Sequence, residues 1–189
     1  MIEEFSKRKK DVLSKLDKSN KSIWDEKITN LCKKINSLEG YYTTSSCSGR
    51  IVLMIDQDKK EENLFVSVYH NQFSFKEIKK DLDTAFKKNK KIKFKMEPCI
   101  LHVACRTLED AQKLYNKAKL AGWKKSGIVG MKNGFTLELN STERLEFPII
   151  NQKKMLVDDE FLKIVIEEAN KKLKKSWEKI ERLEKLLID

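Results

Sequence analysis

The stretch Tyr41-Tyr42-Thr43-Thr44-Ser45-Ser46-Cys47-Ser48-Gly49-Arg50-Ile51-Val52-Leu53-Met54-Ile55 marks the point where the periodicity of this 189-residue chain changes. Tyr41 to Ser46 and Ile51 to Ile55 are β-prone runs on either side of a small polar bend, Cys47-Ser48-Gly49-Arg50. Upstream the period is helical. Trp24, Ile28, Leu31, Ile35 and Leu38 recur at intervals of four and three, Ser22 and Asp25 have the spacing of a capping box, and Gly40 stops the run. Phe5, Val12, Leu13 and Leu16 predict a shorter helix before it, broken by Asp17-Lys18-Ser19-Asn20.

Downstream, strands and helices mix. Leu64 to Tyr69 reads as a third strand; Ser74 and Glu77 cap a helix that turns Ile78, Leu82, Ala85 and Phe86 inward. In the basic stretch Lys87 to Lys95, Lys91, Lys93 and Lys95 alternate with Ile92, Phe94 and Met96, a pattern that fits an edge strand guarded by lysines as well as it fits RNA contact. Cys99 to Cys105 reads as a buried strand. A helix opens at Thr107, with Asp110 as capping partner, lines its inner face with Leu108, Ala111, Leu114, Tyr115, Ala118 and Ala121, and ends at Gly122. Strands follow over Ser126 to Met131, Phe135 to Leu139 and Leu145 to Ile150; Asn133-Gly134 supplies a hairpin turn and Pro148 favours an edge. Asp158-Asp159-Glu160 then starts a long helix with Leu162, Ile166, Ala169, Leu173, Trp177, Ile180 and Leu187 on one stripe.

These elements predict an α+β fold: a mixed β-sheet with packed helices and a long C-terminal helix. One domain over 1–189 is expected, with N-terminal helices in 1–39, the core in 40–157 and the closing helix in 158–188. A Rossmann-type methyltransferase fold is not expected, because Gly127, Gly130 and Gly134 lie between strands rather than in a strand–turn–helix phosphate loop.

The net charge is +11 and 37% of residues are charged, against a usual ~25%, so polyanions are the expected partners: nucleic acid first, anionic membrane second. No apolar signal region opens the chain and no run approaches the ~18 apolar residues of a membrane span, which predicts a cytoplasmic protein with Cys32, Cys47, Cys99 and Cys105 as reduced thiols. No metal site is expected, since there is no CxxC or HExxH and the chain has 2 histidines.

The hydroxyl-rich bend is the strongest chemical signal. Ser45, Ser46 and Cys47, with Gly49 for flexibility and Arg50 for charge, are suited to holding a carboxylate, phosphate or ribose; an ordinary Ser/Gly-rich hairpin reads equally well. A reactive thiolate at Cys47 beside Arg50 is a further option. Candidate proton acceptors are His70, His102 and Glu97; on a strand, His102 shares a face with Ile100 and Ala104.

Thr44-Ser45-Ser46-Cys47-Ser48-Gly49-Arg50-Ile51 resembles the serine-rich signature of the wybutosine-synthesis tRNA methyltransferases. The resemblance continues in order through the chain: Phe5 with Arg8-Lys9 and Leu13, Asp17-Lys18-Ser19 to Asp25, Ile35-Asn36, Glu97-Pro98-Cys99-Ile100-Leu101-His102-Val103 with Cys105-Arg106, Ser126-Gly127-Ile128, and Ala169-Asn170-Lys171. At Leu64 to His70 the chain departs from the family, keeping His70 but not the tryptophan near it.

The resemblance implies an enzyme that moves a methyl group from S-adenosyl-L-methionine to the ring N4 of a demethylwyosine-type base beside the anticodon of tRNA-Phe. It also implies that Ser45, Ser46, Cys47, Gly49, Arg50, Ser126 and Gly127 bind the cofactor. Arg8, Lys9, Lys91, Lys93, Lys95 and Arg106 are then candidate RNA contacts, and Trp24, Tyr42, Tyr69 and Trp123 are aromatics on which the base could stack. Charge alone would also suit a non-catalytic basic RNA-binding module, and the long last helix a self-associating protein. DNA is not an expected partner, and the oligomeric state is left open.

Overall fold

The computed structural model describes residues 2–14, 25–57, 64–131 and 134–187. It contains α1 (Ile2–Leu13), α2 (Glu26–Ser37), β1 (Tyr41–Cys47), β2 (Arg50–Ile55), β3 (Phe65–Tyr69), α3 (Phe75–Lys87), β4 (Ile92–Glu97) and β5 (Ile100–Cys105). These are followed by α4 (Leu108–Leu120), β6 (Gly127–Gly130), β7 (Phe135–Asn140), β8 (Leu145–Asn151), β9 (Lys154–Met155) and α5 (Asp159–Leu186). The α+β class and the long last helix hold. The strands form two sheets, β1-β5-β7-β6 and β3-β2-β4-β8-β9, and every pairing is antiparallel where the sequence suggests one mixed sheet. The bend at Ser48-Gly49 is therefore no hairpin: β1 and β2 join different sheets, and Gly49 turns the chain with a φ of 98°.

The chain divides into two compact units. The first comprises Met1–Ser48, Cys99–Thr142 and Ser176–Asp189, and the second Gly49–Pro98 and Glu143–Lys175.

In the first unit, strict alternation decides which face of the sheet is core. On β5, Leu101, Val103 and Cys105 are buried while Ile100, His102 and Ala104 are partly exposed; on β7, Leu137 and Leu139 are buried while Thr136, Glu138 and Asn140 are partly exposed. The buried side packs against Ile28, Leu31, Cys32 and Ile35 of α2, Ala111, Leu114 and Ala118 of α4, and Ile180 and Leu183 of α5. Trp123, fully buried, joins this core and donates its indole N–H to the Lys179 carbonyl at 3.1 Å. Asp25 is the N-cap of α2, with no side-chain cap bond; its carboxylate is turned to Ser48 instead, and Ser22 lies outside the described residues, so no capping box is seen there. Leu108, expected inside, is exposed at the first turn of α4.

Tyr41 and Cys105 sit together at one end of this core. Burial, and then the Asp110 charge, pushes both the Tyr41 phenol and the Cys105 thiol up to about 12. Both folded values lie above those of the unfolded chain, so the stability these groups contribute is complete below about pH 9 and is lost as the pH climbs towards about 12. A urea midpoint lower at about pH 10.5 than at about pH 8 is expected, with a smaller drop in Cys105→Val.

The second unit has the same logic. Ile51, Leu53, Ile55, Ile92, Phe94 and Met96 are buried, and Phe94 stacks on Phe147 at 5.2 Å between ring centroids. The N-terminal part of α5 is tied in by Asn170, whose side chain accepts from Phe73 N at 3.2 Å and donates to Phe73 O at 2.8 Å. β4 lies in the interior of its sheet, not at an edge. Its lysines point to a solvated face where acids match them: Lys93 meets Asp56 at 2.7 Å, and Lys95 meets Glu146 at 3.5 Å and Glu97 at 3.7 Å. The alternation thus reports which face is wet rather than which strand is last. At α3 the capping box is complete: Ser74 Oγ accepts from Glu77 N at 3.3 Å, and Glu77 Oε2 accepts from Ser74 N at 2.7 Å. Ser74→Ala should cost about 1 kcal/mol of unfolding free energy, read by urea titration.

No helix among the described residues is long and apolar enough to cross a membrane.

Candidate active site

The outer face of the first sheet carries a line of hydrogen bonds across three neighbouring strands. Ser45 Oγ on β1 lies 2.9 Å from His102 Nδ1 on β5, and His102 Nε2 lies 3.0 Å from Glu138 Oε2 on β7. Register places these residues side by side, because Ser45 and Glu138 both pair with His102. On β1 the register slips between Thr43 and Ser45, so that Thr44 is an extra residue in the strand. Thr43 faces the core and exchanges bonds with Asn36, its N–H donating at 2.7 Å and its Oγ accepting at 3.0 Å; regular alternation would turn Ser45 inward as well. The bulge brings the Ser45 hydroxyl to the side of His102 instead. Ser45 is exposed, whereas the His102 and Glu138 side chains keep 27% and 28% of their surface. A hydroxyl, an imidazole and a carboxylate in line can take up a proton and hold the resulting charge.

The segment after Ser45 is fixed from α2. The Asp25 carboxylate accepts from Ser48 N at 2.9 Å and from Ser48 Oγ at 3.1 Å. Ser46 turns its Oγ inward, where it finds no protein partner. Cys47 lies opposite Ile100 and is partly exposed, while Cys32, Cys99 and Cys105 are buried.

Ser126, also singled out from sequence, is held by bonds within the fold. Ser126 Oγ donates to Trp123 O at 2.7 Å and accepts from Asn140 N at 3.2 Å. Gly127 on β6 pairs with Glu138, and a Cβ there would meet nothing within 4 Å, so the sheet stays open beside the carboxylate. Gly49, Arg50, His70 and Glu97 belong to the second unit. There the Arg50 Nε donates to Glu97 Oε2 at 2.7 Å and the guanidinium lies over Phe65, so Arg50 and Glu97 neutralise each other.

The basic candidates are largely paired. Arg8 bonds Glu4, Arg106 approaches Asp110 and Glu39 at 3.6 and 3.7 Å, and Lys9 donates to the Leu38 carbonyl at 2.6 Å. Burial lowers the Lys9 ammonium below its ordinary value, whereas the hydrogen bond to Asp56 raises that of Lys93. Lys91 is exposed. The aromatic candidates are committed too. Trp123 is in the core, Tyr42 is buried against Phe5, Tyr69 stacks on Phe73 with its hydroxyl on Asp81, and Trp24 lies outside the described residues.

Glu138 is the residue that sequence reasoning missed. Its signal was the polar side of the Phe135 to Leu139 alternation, but which polar residue lies opposite His102 depends on a register that one strand's sequence does not state.

Fold and comparisons together define a methyltransferase outside the doubly wound class. The sequence profile of the family Methyltransferase TYW3 matches residues 7–189, and the chain belongs to that family. It is 36% identical over 190 aligned positions to the tRNA(Phe) 7-((3-amino-3-carboxypropyl)-4-demethylwyosine(37)-N(4))-methyltransferase of Archaeoglobus fulgidus, covering 99% of this chain and 93% of that one. The tRNA wybutosine-synthesizing protein 3 homolog of Homo sapiens is 37% identical over 187 positions, covering 95% of this chain and 70% of that one. A solved structure of a Pyrococcus horikoshii protein, 36% identical, superposes with a TM-score of 0.87 over 97% of this chain and 94% of that one. A structure from Aeropyrum pernix at 23% identity and a TM-score of 0.74, covering 86% of this chain and 96% of that one, shares the fold.

Proposed function

We propose that this enzyme transfers a methyl group from S-adenosyl-L-methionine to the ring N4 of a demethylwyosine-type base in tRNA-Phe, with His102 and Ser45 at the reacting centre. The observation that carries the reading is the Ser45–His102–Glu138 line on an open sheet face, in a chain whose relatives are named for that reaction.

The chemistry asks two things of the protein. The ring nitrogen must lose its proton, and the reactants must be held in line, which alone supplies much of the rate. His102 with Ser45 meets the first demand. S-adenosyl-L-methionine, when bound, supplies a methyl carbon on a positively charged sulfur. The exposed Thr44 and Ser45 hydroxyls and the unpartnered Ser46 Oγ suit a group that carries a carboxylate and ribose hydroxyls. Arg50, already bonded to Glu97, leaves that role to hydroxyls and backbone N–H groups. The +11 charge suits the tRNA phosphates, with Lys91, Lys171, Lys174 and Lys175 exposed to meet them.

The test is incubation of the purified protein with S-adenosyl-L-methionine and tRNA-Phe carrying the unmethylated base, followed by nucleoside mass spectrometry. One added methyl on the tricyclic base is expected. An unchanged nucleoside with folded protein and intact tRNA would sink the reading.

A further inference from the structure

We infer that Ser45, not the imidazole itself, takes the proton from the substrate nitrogen, and that Glu138 is a positioning residue that fixes His102 in the one tautomer able to receive the Ser45 proton. The inference rests on the methyl-transfer reading above and deepens it.

The argument starts at Glu138. An ionised carboxylate only accepts hydrogen bonds, so the 3.0 Å contact requires the Nε2 of His102 to carry the hydrogen. In a neutral imidazole the other nitrogen then has a lone pair, and at 2.9 Å the Ser45 hydroxyl donates to Nδ1. Both ring nitrogens are therefore occupied, which leaves His102 no free nitrogen for a substrate. Ser45 is exposed, and its oxygen retains lone pairs for an incoming N–H. Gly127, opposite Glu138 on the edge strand, adds no side chain to cover this face.

The step balances as follows. The substrate nitrogen gives its proton to Ser45 Oγ while Ser45 passes its own proton to His102 Nδ1. As the nitrogen lone pair forms the N–CH3 bond, the S–CH3 bond breaks and its electron pair stays on sulfur, so the donor leaves as a neutral thioether. The proton remains on an imidazolium whose Nε2–H faces Glu138, and it departs to solvent through the exposed part of the ring.

Two measurements test this. Nitrogen-15 NMR of the imidazoles in the full chain, without cofactor or tRNA, should show the resonance that is missing in H102A as the Nε2–H tautomer; an Nδ1–H tautomer overturns the proposal. In single-turnover kinetics, S45A should lose on the order of 100-fold in rate, and S45A/H102A should be no slower than H102A, as expected of residues that act as one unit. Glu138→Ala should fall on the order of 100-fold with tRNA affinity within about threefold. Glu138→Gln should recover part of that loss, because its amide oxygen still accepts the Nε2–H without bringing a charge. Full turnover in S45A alongside a crippled H102A overturns the relay but leaves the methyl-transfer reading standing. Absence of methylated nucleoside with the wild-type chain defeats that reading and does not touch the tautomer.

Discussion

His102→Ala is expected to lower the rate of methyl transfer by about 10²–10⁴-fold, the usual range for loss of a positioned acid–base group, while the protein stays folded and binds tRNA within about threefold of the wild type. His102 lies on the outer face of its sheet with 27% of its side chain exposed, so truncation opens no cavity among Leu101, Val103 and their neighbours. What it removes, in the proposed reaction, is the proton acceptor and the group that aligns the Ser45 hydroxyl. The check is a single-turnover assay beside a tRNA-binding titration on the same preparation. Equal losses in both would mean that His102 binds rather than reacts, and an unchanged rate would remove it from the site.

Trp123→Ala has the largest expected effect on stability, a loss of about 3–5 kcal/mol, which is a large share of the 5–15 kcal/mol that holds a typical domain. Trp123 is fully buried, at 0% relative surface, and among the described residues it is the largest of the fully buried side chains. Its ring belongs to the cluster shared by α2, α4, the sheet and the last turns of α5, and its N–H reaches the Lys179 carbonyl at 3.1 Å. Alanine leaves a void with several walls that cannot all collapse into it. Urea denaturation followed by circular dichroism gives the value, and Trp123→Phe, which keeps most of the volume, should cost well under half as much.

The sequence was informative wherever a local rule governs. Helical stripes placed α2, α3, α4 and α5, and two-residue alternation identified the inner faces of β4 and β5. Ser74 with Glu77 and Thr107 with Asp110 marked helix starts that hydrogen bonds bear out, the Asp110 N–H donating to Thr107 Oγ at 3.0 Å. Pairing between distant segments was not legible. That β1 joins β5 while β2 joins β4 depends on contacts some fifty residues apart, so a Ser/Gly-rich bend that reads as a hairpin becomes a passage between sheets. The lysines of β4 read as an edge for the same reason: alternation reports a wet face, and an interior strand of a sheet with one solvated side presents the same pattern.

At the site, the polar segment and the histidine strand do meet, but the partner on the far side of the imidazole could not be picked from Thr136, Glu138 and Asn140 without the register. The aromatic candidates were misleading because indole and phenol rings look alike in sequence whether they wait for a base or fill a core; burial assigned Tyr42 and Trp123 to packing.

Thr44 is an insertion that its own chemistry does not explain. Its side chain makes one long contact, 3.4 Å to the His102 carbonyl, so many residues could stand in its place. As the extra residue of the strand, Thr44 is absorbed by the slip in register, so that Ser45 still falls opposite His102. Length is therefore negotiable here while facing is not: a homologue one position shorter between Tyr42 and Ser45 could pair as an unbroken strand and set its serine opposite the same histidine, whereas a strand of the present length without the slip would point it into oil.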